Sequence, residues 1–236
     1  MHKTIIYLFF VFIIAFISSL NTGCDKGLDQ SSIDSINKYT NLINQYPQDP
    51  FYYVTRGDIY FVNQEYLSAA QDYDAALNID PFNLEALRKL AVTYERMDKY
   101  AESLKEYNNL IALYPAADDY INRGLLHEKY KNLPMAIADY DRAIALNPEN
   151  INYYMIRGNA LDKAGNYQRS SQDYSEVIKR QPNNLGAILN RGNAFYNGGN
   201  FRGAVVDFEK VILLDPSYEG DLKEKLQVAR INAQKQ

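Results

Sequence analysis

Four arginines are each followed sixteen residues later by an aspartate: Arg56 and Asp72, Arg123 and Asp139, Arg157 and Asp173, Arg191 and Asp207. Two kinds of chemistry fit so regular a spacing. The arginines could form a ladder offered to an acidic ligand. Alternatively, each pair could be a partly buried ion pair, since a planar guanidinium grips a carboxylate through two parallel hydrogen bonds. Other reactive groups are sparse. There are two histidines, His2 and His127, and Cys24 is the single cysteine. One cysteine excludes an intrachain disulfide and a thiolate zinc cluster. No HExxH pair, glycine-rich phosphate loop or nucleophile elbow occurs. Asp72 and Asp74, like Asp139 and Asp141, stand two apart, on different sides of any helix, and do not form a calcium loop. The expectation is a non-enzyme with no cofactor and no metal. The net charge of −4 gives no electrostatic reason to expect nucleic acid.

Prolines mark the elements that must position these residues. Pro47, Pro81, Pro115, Pro148, Pro182 and Pro216 are separated by 34, 34, 33, 34 and 34 residues. Five units follow, 50–83, 84–116, 117–150, 151–184 and 185–218, with the proline at position 32 of each. In the fourth unit positions 4, 8 and 11 are Tyr154, Gly158 and Leu161, and positions 20, 24 and 27 are Ser170, Tyr174 and Val177. The same alternation of large and small residues runs through the other four, with Tyr or Phe always at position 24. Large residues at positions 4 and 11 share one helical face. Small residues at 8 and 20 let two antiparallel helices approach, and the proline closes the second helix. This pattern resembles the tetratricopeptide repeat. The resemblance implies an all-α solenoid of stacked antiparallel helix pairs. It also places position 7 against the partner helix, which favours internal bracing for the Arg–Asp pairs. His127 falls at position 11, a packing position.

A solenoid needs covers at both ends. Residues 33–49 carry Ile36, Tyr39, Leu42, Ile43 and Tyr46 at helical spacing and read as a lone second helix, an N-terminal half-repeat. Residues 219–236 carry the stripe Leu222, Leu226, Ala229 and Ala233 and read as a C-terminal capping helix. By the same resemblance, the groove is lined from the first helix of each pair. Position 5 supplies Val54, Arg88, Ile121, Met155 and Leu189; position 9 supplies Asp58, Val92, Leu125, Asn159 and Asn193. Unpacked apolar side chains there suggest a docked peptide or helix. The family's carboxylate clamp of Lys and Asn is not reproduced.

Ile5 to Leu20 is apolar apart from two serines, the size of a signal-peptide core and short of the roughly 20 residues of a spanning helix. Thr22-Gly23-Cys24 then resembles the lipobox of bacterial lipoproteins, with Asn21 where leucine is usual. The resemblance implies a signal peptide over 1–23, lipidation of Cys24, and export to the periplasmic or outer face of a bacterial membrane. Residues 24–32 read as a polar tether. The expected function is an adaptor, held at the membrane, that binds a protein or peptide partner in its groove, on the plan of lipoproteins that assemble envelope complexes. The alternative is an exported lipoprotein that captures a glycan or another nutrient; the absence of Trp counts against it.

Overall fold

The proline metre translates into helix pairs. A computed structural model describes residues 27–235, so the expected signal peptide and Cys24 lie outside the described residues. The first helix, α1 (Gln30–Gln45), stands alone. Five pairs follow: α2 (Pro50–Val62) with α3 (Tyr66–Ile79), α4 (Leu84–Arg96) with α5 (Tyr100–Leu113), α6 (Ala117–Lys129) with α7 (Leu133–Leu146), α8 (Ile151–Lys163) with α9 (Tyr167–Arg180), and α10 (Leu185–Asn197) with α11 (Phe201–Leu214). A short 3-10 turn, Pro216–Tyr218, leads into α12 (Glu219–Ala233). Among the described residues there is no strand.

Local chemistry sets the boundaries. α1 starts three residues before the expected limit because Asp29 accepts the amide of Ser32 at 2.7 Å, an N-cap bond that draws Gln30 to Ser32 out of the tether. Asp49, Asn83, Asn150 and Asn184 cap the first helices of four units in the same way, whereas Ala116 offers α6 no side-chain cap. Between the two helices of each pair one residue takes a left-handed conformation: Gln64, Asp98, Lys131, Gly165 and Gly199, with φ of 66°, 56°, 62°, 74° and 80°. The next amide then closes back onto the first helix, as in Asn166 N to Leu161 O at 2.8 Å.

The core runs the length of the stack. The rings at position 24, Tyr73, Tyr107, Tyr140, Tyr174 and Phe208, are all fully buried. Each such ring contributes about 1.5–3 kcal/mol from burial. In the four units with glycine at position 8 the ring takes the space a side chain would need, whereas the second unit fits Ala91 beside Tyr107. A Cβ on Gly57, Gly158 or Gly192 would stand 2.7–2.9 Å from its ring, and one on Gly124 would press closer still on Tyr140. α12 takes the place of a sixth first helix. Leu226 fills its position 8 and packs with Leu222 and Ala229 against Phe208 and Val211.

Candidate functional site

The Arg–Asp pairs form inside each unit. Arg56, Arg123, Arg157 and Arg191 each donate Nε and Nη2 to the two carboxylate oxygens of Asp72, Asp139, Asp173 and Asp207, at 2.6–2.9 Å. The third nitrogen reaches out of the unit. Nη1 donates to position 25 of the preceding helix: Thr40, Asn108, Asp141 and Ser175 respectively. Each arginine therefore clips three helices together and is not offered to a ligand. Burial opposes the Arg157 charge, but its bonds to Asp173 and Asp141 hold its pKa above the ordinary range; burial also lifts the Asp173 carboxyl against the pull of Arg157. The second unit has Leu90 in place of the arginine, and the buried Glu106 is met by Lys105 and Asn109 instead.

The expected groove residues divide into three groups. Val54 and Ile121 are 5% and 6% exposed and belong to the core, a correction to their placement on an open surface. The neighbouring unit covers them: Val54 clusters with Ala86 and Leu90, and Ile121 with Tyr153. Four polar residues are spent on bridges between adjacent first helices. Asp58 accepts from Lys89, and Arg88 donates to both oxygens of Asp119 at 2.7 and 3.0 Å. Asn159 accepts from Asn190 at 3.1 Å, and Asn193 from Lys225 at 2.8 Å. Position 24 joins this ladder from below, since Tyr73 donates to Asp58 and Tyr174 to Asn159. Leu125, Met155 and Leu189 remain as apolar lining, with Leu125 the most open at 45% exposed.

Leu125 opens into a cavity of about 610 Å³ that it shares with Leu133, Glu128, Lys129, Lys131 and Lys163. Two leucines supply apolar wall and three lysines a cationic rim. Lys163 is paired to Glu128 and Lys129 to Asp98, while Lys131, in its left-handed turn, has no ion pair among the described residues. Such a site suits an apolar side chain followed by an acidic group. His127, the nearest imidazole in sequence, is 3% exposed. Its Nδ1 lies 2.9 Å from the Tyr100 hydroxyl and its Nε2 3.8 Å from Asp139, and burial lowers its pKa.

Sequence reasoning missed Lys89, Asp119, Lys131 and Asn190. The usable signal was a spacing of 31 residues between complementary side chains: Asp58 and Lys89, Arg88 and Asp119, Asn159 and Asn190. In a 34-residue period that interval is one helical turn short of a unit, so it points across the joint between units.

Sequence models of the tetratricopeptide repeat match residues 85–117, 117–150 and 157–221, together more than half of the chain. The chain belongs to the tetratricopeptide repeat family. A DnaJ homolog subfamily C member 7 homolog of Dictyostelium discoideum is 27% identical over 99 residues, covering 40% of this chain and 18% of that protein. The chain spans less than a fifth of the length of the curated relatives it matches. Among solved structures, MamA superposes with a TM-score of 0.63 at 24% identity, over 73% of this tetratricopeptide array and 94% of MamA. YrrB, a tetratricopeptide protein with an unusual peptide-binding site, superposes with a TM-score of 0.66 at 20% identity, over 79% of this chain and 97% of YrrB. At these identities the likeness shows the fold. A tetratricopeptide array of this kind supports a protein–protein interaction adaptor.

Proposed function

We propose that this protein is a non-enzymatic adaptor, tethered by a lipid on Cys24 to a bacterial membrane, that docks a peptide or short helix of a partner against its first-helix face during assembly of an envelope complex. The observation that carries the groove is the cavity at Leu125 and Leu133. Elsewhere on that face the polar residues expected to bind are already held by their neighbours in the stack. Here an open leucine stands beside Lys131, which has no ion pair among the described residues, so both an apolar anchor and a charge are available to a partner. The peptide-binding site of YrrB, a protein of the same fold, adds support. Lys163 and Lys129 add cations that an acidic partner residue could share.

A photo-crosslinking amino acid at Leu125 of the full chain, in membranes of the producing cell, should trap a discrete protein on illumination. The same probe at Val206, 63% exposed on α11, should not. Equal capture at the two positions, or none at Leu125, would remove the cavity from the reading.

A further inference from the structure

The stack has two long edges, and they differ in charge. One edge carries the turns inside the units and the other carries the proline turns between them. Side-chain bonds tie each edge together: Lys129 reaches the carbonyl of Glu95 along the first, and Arg180 reaches that of Pro148 along the second. On the first edge Arg96, Lys99, Lys131, Arg202 and Lys235 are exposed, and among the described residues none has a carboxylate within ion-pair distance. The acids in and beside those turns are Asp29, Asp34, Glu65, Glu95, Asp98, Glu102 and Glu128, of which Glu95 and Asp98 are held by Lys129 and Glu128 by Lys163. The second edge carries Asp49, Asp80, Asp118, Glu149 and Asp215, against Lys179 and Arg180 at the end of α9 and Lys210, which donates to the Pro182 carbonyl at 2.7 Å. Helix dipoles do not require this difference, because each unit places one helix start and one helix end at either edge. Exposed apolar side chains occur at both edges, Val62, Leu67 and Met135 at the first (78%, 61% and 48% exposed) and Phe51, Phe82 and Tyr114 at the second (61%, 69% and 60%), so charge and not apolar area distinguishes them.

The chain enters at the basic edge. Ser32, in the first turn of α1, exchanges hydrogen bonds with Asn63 at the end of α2. From Cys24 to Gln30 is six residues, which reach about 20 Å when fully extended. The sixteen residues of α1 carry the chain about 24 Å to the acidic edge. A lipid on Cys24 therefore reaches the bilayer easily when the basic edge is lowest and cannot reach it when the acidic edge is.

We propose that the edge formed by the intra-unit turns lies against anionic headgroups of the bilayer, with Val62, Leu67 and Met135 dipping into the interface and the acidic proline turns pointing away. This rests on the reading of Cys24 as the anchor. Each exposed base is worth about fivefold in partitioning to an anionic surface, and the effect is confined to within a Debye length. Held this way, the Leu125 cavity opens at headgroup height, where a membrane-bound partner's segment leaves the bilayer.

The chain contains no Trp, so single tryptophans report position cleanly. Met135→Trp, Phe82→Trp and Val206→Trp mark the basic edge, the acidic edge and the α11 surface. Full-length protein purified from membranes is reconstituted into vesicles of phosphatidylcholine with brominated phosphatidylglycerol, and lipidation of Cys24 is checked by mass on the same sample. The expected result is strong quenching of Met135→Trp, weak quenching of the other two, and loss of the difference in high salt or when Arg96→Glu and Arg202→Glu are added. Lipidated protein quenched equally at all three sites, or most at Phe82→Trp, overturns the orientation and leaves the anchor standing. Quenching of Met135→Trp that ignores both salt and the charge reversals overturns the role of the bases. An unmodified Cys24 overturns the anchor and the orientation together.

Discussion

At the scale of single residues, the arginine at position 7 shows how a conspicuous motif becomes structural. Arg157 is only 16% exposed in its side chain and Asp173 5%, so each would be costly to bury alone. Removing one half should therefore hurt more than removing both. Arg157→Met should lose about 3–5 kcal/mol in urea unfolding, with Asp173 left charged and dry. Arg157→Met with Asp173→Leu should lose clearly less. Asp141 does not spoil the comparison, because Arg169 still pairs with it at 3.1 Å. A single variant that is no worse than the double would mean that water reaches Asp173 and that the pair is not buried in the sense argued. The pairing itself could be read from an interval of sixteen residues. The third contact, to position 25 of the preceding helix, could not, because Thr40, Asn108, Asp141 and Ser175 share only the ability to accept a hydrogen bond.

At the scale of elements, the helices follow from the proline metre and the small residues at position 8, whereas the turns depend on a backbone conformation that residue type only hints at. Gly165 and Gly199 take the left-handed conformation without a side-chain penalty, but Gln64 takes it with φ of 66°. A side chain in that region costs roughly 1–2 kcal/mol, offset in part by the greater freedom glycine has when unfolded. Gln64→Gly should therefore stabilise the protein by up to about 1 kcal/mol, seen as a rise in Tm, and Gly165→Gln should lower it by a similar amount. A fall in Tm for Gln64→Gly would show that the Gln64 side chain contributes something its conformation does not reveal. The groove was harder to read than the helices for a related reason. Val54 and Ile121 sit at positions that look open in one unit and are closed by the next, and the partners of Asp58, Arg88 and Asn159 lie 31 residues away. Leu125 is the most exposed of the apolar positions, at 45%, beside lysines that pair with Glu128 and Asp98.

At the scale of the whole molecule, cooperativity depends on the joints, since each unit contacts only its neighbours and stability is a sum of unit and interface terms. The joints are not equal. Between the second and third units the connection is one residue shorter, and Ala116 gives α6 no side-chain cap. There the first helices are tied by Arg88, whose guanidinium grips Asp119, a carboxylate with 1% side-chain exposure. Arg88 itself is 41% exposed, so water softens the loss of the pair, and Arg88→Met should cost about 1–3 kcal/mol. The form of the loss is more telling than its size. If this contact couples the two parts of the stack, native-state hydrogen exchange in the variant should separate into two groups. Amides of α1–α5 and those of α6–α12 would then open with different free energies and different denaturant slopes, where the wild type opens its buried core as one unit. The same loss of stability with a single opening event would place the coupling elsewhere, in the Arg123 clip to Asn108 or in the packing of Leu126 against Tyr107 and Leu110. For a molecule whose proposed partner site begins at Leu125, just past that joint, the outcome also decides whether a peptide bound there would stiffen the whole stack or only the units that touch it.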